Sequence, residues 1–297
     1  MDRVDIKIGF TCNNLCDFCV QGDKRHKLPD KSLAMIKEAL DEAKAQQIKG
    51  VVFTGGEPTI HPHILEAVAY AKQLGFEIIQ LQSNGRMFSY YDFCVKLINA
   101  GANEFSPALH AATPALHDEL TKSPGAWEQV VQGIKNLRQL NQYILTNTVI
   151  NALNYKELPA LAELFVKLDV NQFQFAYVHI IGSAWKNKDW LIPRKSEVMP
   201  FVKKGLDIGI ANGKRVMTEA IPYCLMAGYE SYIAENNIPK TKVVAESVLE
   251  DYDYYRKNEG KVKRAECQTC FYNNVCEGPW KEYPQIYGWE EFQPVKK

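Results

Sequence analysis

The chain has 297 residues, 46% of them hydrophobic and 24% charged, with 35 basic side chains against 35 acidic ones. These are globular proportions, which exclude a disordered chain, a collagen and a small disulfide-stapled scaffold; the balanced charge lacks the basic excess of a general nucleic-acid binder. No run of about 18 apolar residues marks a membrane span, and the start Met1–Lys7 has no apolar h-region, so a cytoplasmic protein is expected.

Strand-then-helix alternation fills the first two thirds. Residues 4–10 predict a strand, and Ser32–Ala45 has helical spacing with Asp30 as its cap. Residues 50–54 form a short apolar strand, followed by a helix over 64–74 that Gly75 ends. Strands are then predicted at 76–81, 104–109, 143–150 and 171–181. Helices are predicted at 91–100, 125–140, 157–168 and 196–212. Six such units argue for a parallel sheet with helices outside it. A closed eight-unit barrel takes about 250 residues, and here the rhythm stops near Asn212. An α/β fold is therefore expected, a partial (β/α)6 TIM-type barrel over residues 1–212; a doubly wound open sheet fits the same alternation. Residues 213–297 break the rhythm and are rich in Tyr, Glu, Lys and Pro. They predict a small extension that a metal site would help to fold.

Cysteine carries the chemical signal. Of eight cysteines, Cys12, Cys16 and Cys19 cluster near the start, and Cys267, Cys270 and Cys276 near the end. In a chain without a secretory signal such spacing reads as metal binding. The loop after the first strand is Cys-x3-Cys-x2-Cys, and three thiolates hold three corners of an iron–sulfur cubane. The fourth iron stays open to an exogenous ligand. Structural zinc wants four ligands, for which His26 is the recruit at hand. The second strand runs into Gly55-Gly56-Glu57-Pro58. The glycines permit close backbone approach, and Glu57 with the nearby carbonyls accepts hydrogen bonds from an ammonium.

Cys12, Cys16 and Cys19, with the aromatic Phe18 before the last cysteine, and Gly55-Gly56-Glu57-Pro58 resemble the motifs of the radical S-adenosylmethionine (radical SAM) superfamily. The resemblance implies an enzyme with a [4Fe–4S] cluster whose open iron chelates the methionyl amine and carboxylate of SAM. One-electron reduction then yields methionine and a 5′-deoxyadenosyl radical, which abstracts hydrogen from a substrate. Gly55, Gly56 and Glu57 would hold the methionine amine, Phe18 would lie near the adenine, and Ser83-Asn84 would line the SAM pocket. Ser106 and Asn147 are the candidates for ribose and carboxylate contacts. Where relatives often carry Ser-Leu-Asp, this chain has Ala108-Leu109-His110. The partners implied are a one-electron reductant such as flavodoxin or ferredoxin and a small-molecule or peptide substrate. No docking domain precedes Cys12, which tilts the expectation toward a metabolite.

The second cluster reads Cys-x2-Cys-x5-Cys, with Cys224 upstream as a fourth thiol. Count alone admits zinc or iron–sulfur. The spacing resembles the auxiliary-cluster segment of twitch/SPASM extensions, which implies one further [4Fe–4S] cluster with no open iron. Cys94, on an amphipathic helix, reads as a buried small hydrophobe. His61 and His63 read as helix-start residues, while His110 and His179 are candidates to face substrate. Trp185, Trp190, Tyr223 and Trp280 read as packing. The alternatives from other classes are a non-catalytic iron–sulfur carrier or scaffold and a zinc-stapled binding module.

Overall fold

The computed structural model describes residues 1–296, except for the side chains of Asp23 and His26, so the recruitment of His26 to a metal lies outside the described residues. Among the described residues nine strands form one sheet: β1 (Arg3–Gly9), β2 (Gly50–Gly55), β3 (Ile78–Ser83), β4 (Glu104–Pro107), β5 (Tyr143–Ile150), β6 (Gln172–Tyr177), β7 (Arg215–Glu219), β8 (Thr241–Val244) and β9 (Val248–Leu249). Their order is β7-β6-β5-β4-β3-β2-β1-β8-β9, so the sheet does not close and β7 and β9 are its edges. Every pairing is parallel except the β8–β9 hairpin.

Helices α1 (Leu33–Ala45), α2 (Ile64–Gln73), α3 (Tyr91–Ala100), α4 (Pro114–Thr121), α5 (Ala126–Gln139) and α6 (Leu158–Lys167) fill the crossovers. The short α7 (Ser183–Lys186) and α8 (Lys188–Leu191) precede the long α9 (Lys195–Ala211), and α10 (Tyr252–Tyr255) and α11 (Tyr283–Tyr287) lie in the last stretch. Among the described residues no helix is long and apolar enough to cross a membrane.

Strand polarity explains the curvature. In β1, Val4, Ile6 and Ile8 are buried in the main hydrophobic core, while Arg3, Asp5 and Lys7 face a cavity. The same alternation recurs through β3, β6 and β7, where Gln80, Gln174 and Glu219 face that cavity. One face of the sheet packs on helices and the other encloses a lumen of about 720 Å³ lined by both charged and apolar side chains.

The helix α4 and shifted bounds of β3, β4 and β6 depart from the sequence expectation, and two further differences bear on the ends of the sheet. Ser32, not Asp30, caps α1, its hydroxyl accepting from Met35 N. Asp30 instead accepts from Phe10 N (2.8 Å) and Thr11 N (3.1 Å) beyond β1. The second difference is that both edges of the six-strand core are extended from the stretch after Asn212. β7 pairs with β6, and β8 pairs with β1 in the register Arg3↔Thr241. Strands this short carry too few side chains to show a period of their own; distant partners make them strands.

Candidate functional site

The cysteine loop leaves the C-terminal end of β1, and its backbone is held from several sides. Gly56 N donates to Gly9 O and Glu57 N to Thr11 O, both at 2.8 Å, which sews the loop after β2 to the loop after β1. Gly55 has φ +123°, and a Cβ there would run into the Gly9 carbonyl oxygen, so only glycine fits this turn. Arg86 donates through Nη1 to Asn13 O (2.6 Å) and to Asn14 Oδ1 (3.0 Å). On the far side, Leu15 N donates to Thr121 O and Ser183 N to Cys19 O, each at 2.9 Å.

Within this frame Cys12, Cys16 and Cys19 are half-buried and free of disulfides. Asn14 N donates to Cys12 Sγ at 3.4 Å. Burial pushes the Cys12 thiol up to about 11 and the Cys16 thiol higher, and the other two thiols of the loop add to the rise at Cys16. A metal cluster would supply the positive charge that thiolates need in such a setting. Three soft donors on one loop, with no fourth cysteine beside them in the sequence, fit a cubane better than a closed zinc site.

The Glu57 carboxylate already has partners within the chain. It is buried and accepts from Thr59 N, Thr59 Oγ1, Ser83 Oγ (2.7 Å) and Asn84 N (2.6 Å). Its acceptor capacity is thus largely taken up in tying the β2 and β3 loops together, which leaves backbone carbonyls of the turn for a ligand ammonium. Pro58 opens a short 3-10 turn behind it. Asn84 reaches back to the cysteine loop, with Nδ2 2.6 Å from Asn13 Oδ1. Ser106 and Asn147 line the lumen, and Asn147 Oδ1 is buried there without a hydrogen-bond partner among the described residues. Phe18 is buried edge-on against His110, ring centroids 4.6 Å apart. His110 is therefore a packing residue; its backbone N–H donates to His117 Nδ1, and its own Nδ1 accepts from Val149 N. His179 does line the lumen, stacked at 3.7 Å on Trp280.

Of the remaining sequence candidates, Cys94 is fully buried and bonds to Phe88 O. His63 begins α2 and its N–H bonds to His61 Nδ1. Tyr223 stacks on Tyr272, but Trp185 and Trp190 are exposed instead of packed.

Cys224, Cys267, Cys270 and Cys276 line one cavity with Tyr223, Trp289 and Phe292. Burial pushes the Cys224 thiol up to about 12, with the other three thiols adding to the rise. Among the described residues no group of three His, Cys, Asp or Glu side chains has the geometry of a single-ion site. Beside this ring of thiols lies a buried ion network. Glu277 accepts from Arg256 Nη2 (2.9 Å) and Lys261 Nζ (2.8 Å), and Lys261 also pairs with Glu235 (2.6 Å). No spacing in the sequence marks this network. The lumen charges had a signal: polar residues at every second position of β1, β3 and β6.

A family model described as the radical SAM superfamily matches residues 6–165, more than half of the chain. A probable GTP 3′,8-cyclase of Saccharolobus islandicus is 30% identical over 184 residues, covering 60% of this chain and 58% of that protein. An AdoMet-dependent heme synthase of Methanosarcina barkeri is 28% identical over 159 residues, 53% of this chain and 45% of that protein. The chain thus matches less than two thirds of the length of these curated relatives. Among solved structures, Streptococcus suis SuiB bound to S-adenosylmethionine is similar with a TM-score of 0.67 at 15% identity, covering 93% of this chain and 72% of that one. Native anSMEcpe with bound AdoMet gives 0.64 at 13% identity, covering 98% and 97%. At these identities the structures speak for the fold, an α/β sheet of the partial-barrel kind. The family match decides the rest: this chain belongs to the radical SAM superfamily, enzymes that work with a [4Fe–4S] cluster and S-adenosylmethionine.

Proposed function

We propose that Cys12, Cys16 and Cys19 hold the [4Fe–4S] cluster and that SAM binds across the ends of β1 to β5, facing a peptide or small-metabolite substrate in the lumen. The observation that carries this reading is the convergence of three loops at one end of the sheet, tied by Glu57 to Ser83 and Asn84 and by Asn84 to Asn13. Bound there, the reduced cluster and SAM supply one-electron cleavage of a sulfonium and hydrogen abstraction from the substrate.

The chain's own part is placement. The turn Gly55–Glu57 brings its backbone to the methionine amine, while the Glu57 carboxylate fixes that turn against the β3 loop. Ser83 and Asn84 wall the methionine side, and Asn147 Oδ1 offers a buried acceptor to the ribose, with Ser106 beside it on β4. Phe18 orients the loop from below through His110, so contact with the adenine falls to the loop backbone.

Cys224, Cys267, Cys270 and Cys276 are proposed to hold a second, auxiliary [4Fe–4S] cluster of the twitch/SPASM kind, a reading supported by their common cavity. Four thiolates would leave no iron open, so an electron-transfer or structural role follows. In this reading residues 1–212 are the SAM-handling core and 213–297 the extension, which also lends β7 and β8 to the sheet. Electrons come from a flavodoxin or ferredoxin in the cytoplasm.

The test is anaerobic reconstitution followed by reduction with dithionite. Conversion of SAM to 5′-deoxyadenosine is expected, with about eight irons per chain. No cleavage would overturn the enzyme reading, and iron that never exceeds about four would remove the auxiliary site.

A further inference from the structure

We propose that the lumen takes a net-neutral, polyhydroxylated small metabolite of the sugar or cyclitol class, held by two carboxylate–amide pairs, Glu219 with Gln174 and Glu104 with Gln80. The proposal rests on the radical SAM reading above and names the substrate class of that site.

The charge of the wall is the first argument. The strands turn three carboxylates inward, Asp5, Glu104 and Glu219, and three cations, Arg3, Lys7 and Arg215; the rest of the lining adds Asp2 and the Lys24–Glu246 ion pair, so the wall stays close to neutral. The balance suits a ligand without net charge.

Geometry is the second. Gln80 Nε2 donates to Glu104 Oε2 at 2.9 Å across β3–β4, and Gln174 Nε2 donates to Glu219 Oε2 at 2.7 Å across β6–β7. Among the described residues these are the only side-chain hydrogen bonds these four groups make. Each pair therefore keeps a carboxylate oxygen, an amide oxygen and an amide N–H for a ligand. Vicinal hydroxyls, which both donate and accept, match such a row. Val52, Leu145 and Met217 of the same wall offer apolar support to the C–H face of a ring.

Glu219 is also held in place. It ends β7, and the next residue, Ala220, has φ +60°, a left-handed conformation that costs a non-glycine residue free energy. Two buried side chains fix that turn: Glu235 Oε1 accepts from Ala220 N, and Lys195 Nζ donates to Ala220 O, both at 2.8 Å. Finally, the mouth is strapped. The 245–247 turn of the β8–β9 hairpin lines the cavity, and Lys24 pairs with Glu246 (2.5 Å) while Lys31 Nζ donates to Ala245 O (2.6 Å). This favours a compact ligand over an extended chain threaded through the opening.

The experiment is calorimetric titration of the reconstituted, SAM-loaded protein with myo-inositol, methyl α-D-glucopyranoside, GTP and a Gly/Ser heptapeptide. At least one polyol is expected to bind with a Kd of about 1 mM or tighter. Glu219→Gln and Gln80→Leu are each expected to weaken it by about tenfold, with Glu219→Asp recovering part of the loss. Iron content and thermal midpoint check that each variant folds; the two variants lie on different strands, β7 and β3, so either one alone keeps the test decisive. Binding of GTP or the peptide in preference to both polyols overturns the proposal, as does a polyol isotherm that both variants leave unchanged, or no polyol binding at all. SAM cleavage by the same wild-type preparation separates the two readings: cleavage without polyol binding removes only the substrate class, while its absence removes the enzyme reading beneath it.

Discussion

Cys12, Cys16 and Cys19 come from one short loop held by backbone groups of its neighbours, whereas Cys224 stands far in sequence from Cys267, Cys270 and Cys276 and the ring they form leans on buried ions. The first site takes shape once β1, β2 and β3 are side by side, and Thr121 and Ser183 then close it from the far side. The second waits for distant segments to meet, and its supporting charges have to be desolvated to get there. The barrel loop is therefore rigid by construction, and the extension is rigid only when complete.

The largest expected effect tests whether the two sites are separable. Cys16→Ala should abolish 5′-deoxyadenosine formation and remove about four irons, while Cys270→Ala should remove as many and leave SAM cleavage measurable. Equal loss of cleavage in both variants would show that the sites act as one. Next in size is Arg256→Met. It takes the bidentate partner from Glu277, which is buried, at a cost of about 3–5 kcal/mol. Hydrogen exchange should rise in residues 213–296 and stay low around residues 10–19; a rise in both regions would break the distinction. The smallest effect is Asp30→Ala. It leaves Phe10 N and Thr11 N without their acceptor, at about 1–3 kcal/mol. Iron should then be lost to a chelator faster from the loop site alone, followed by the electron paramagnetic signal of each cluster.

How much of this was legible follows the same division. The strand at Tyr143–Ile150 and the helix at Tyr91–Ala100 begin and end where the sequence pattern places them, because their periods are long and uninterrupted. The motifs carrying Cys12 to Cys19 and Gly55 to Glu57 were readable for a related reason: each is contiguous. The use of the Glu57 carboxylate was not, since its partners Ser83 and Asn84 belong to another loop. Nor was the role of Asp30, which lies at the distance of a helix cap from α1 and yet turns back to β1. The lumen carboxylates were visible only as polar beats within strands. That Glu104 and Glu219 face one chamber depends on the curvature of the whole sheet.

The parallel pairing of β8 with β1 joins residues 3–6 to residues 241–244. A ribosome must therefore deliver most of the chain before the first strand gains its second neighbour, and until then that strand presents bare amides and carbonyls to the cell. Such a long wait for contact slows folding and exposes a sticky edge. Removing residues 241–249 should consequently show up first as aggregation during synthesis, ahead of any loss of catalysis.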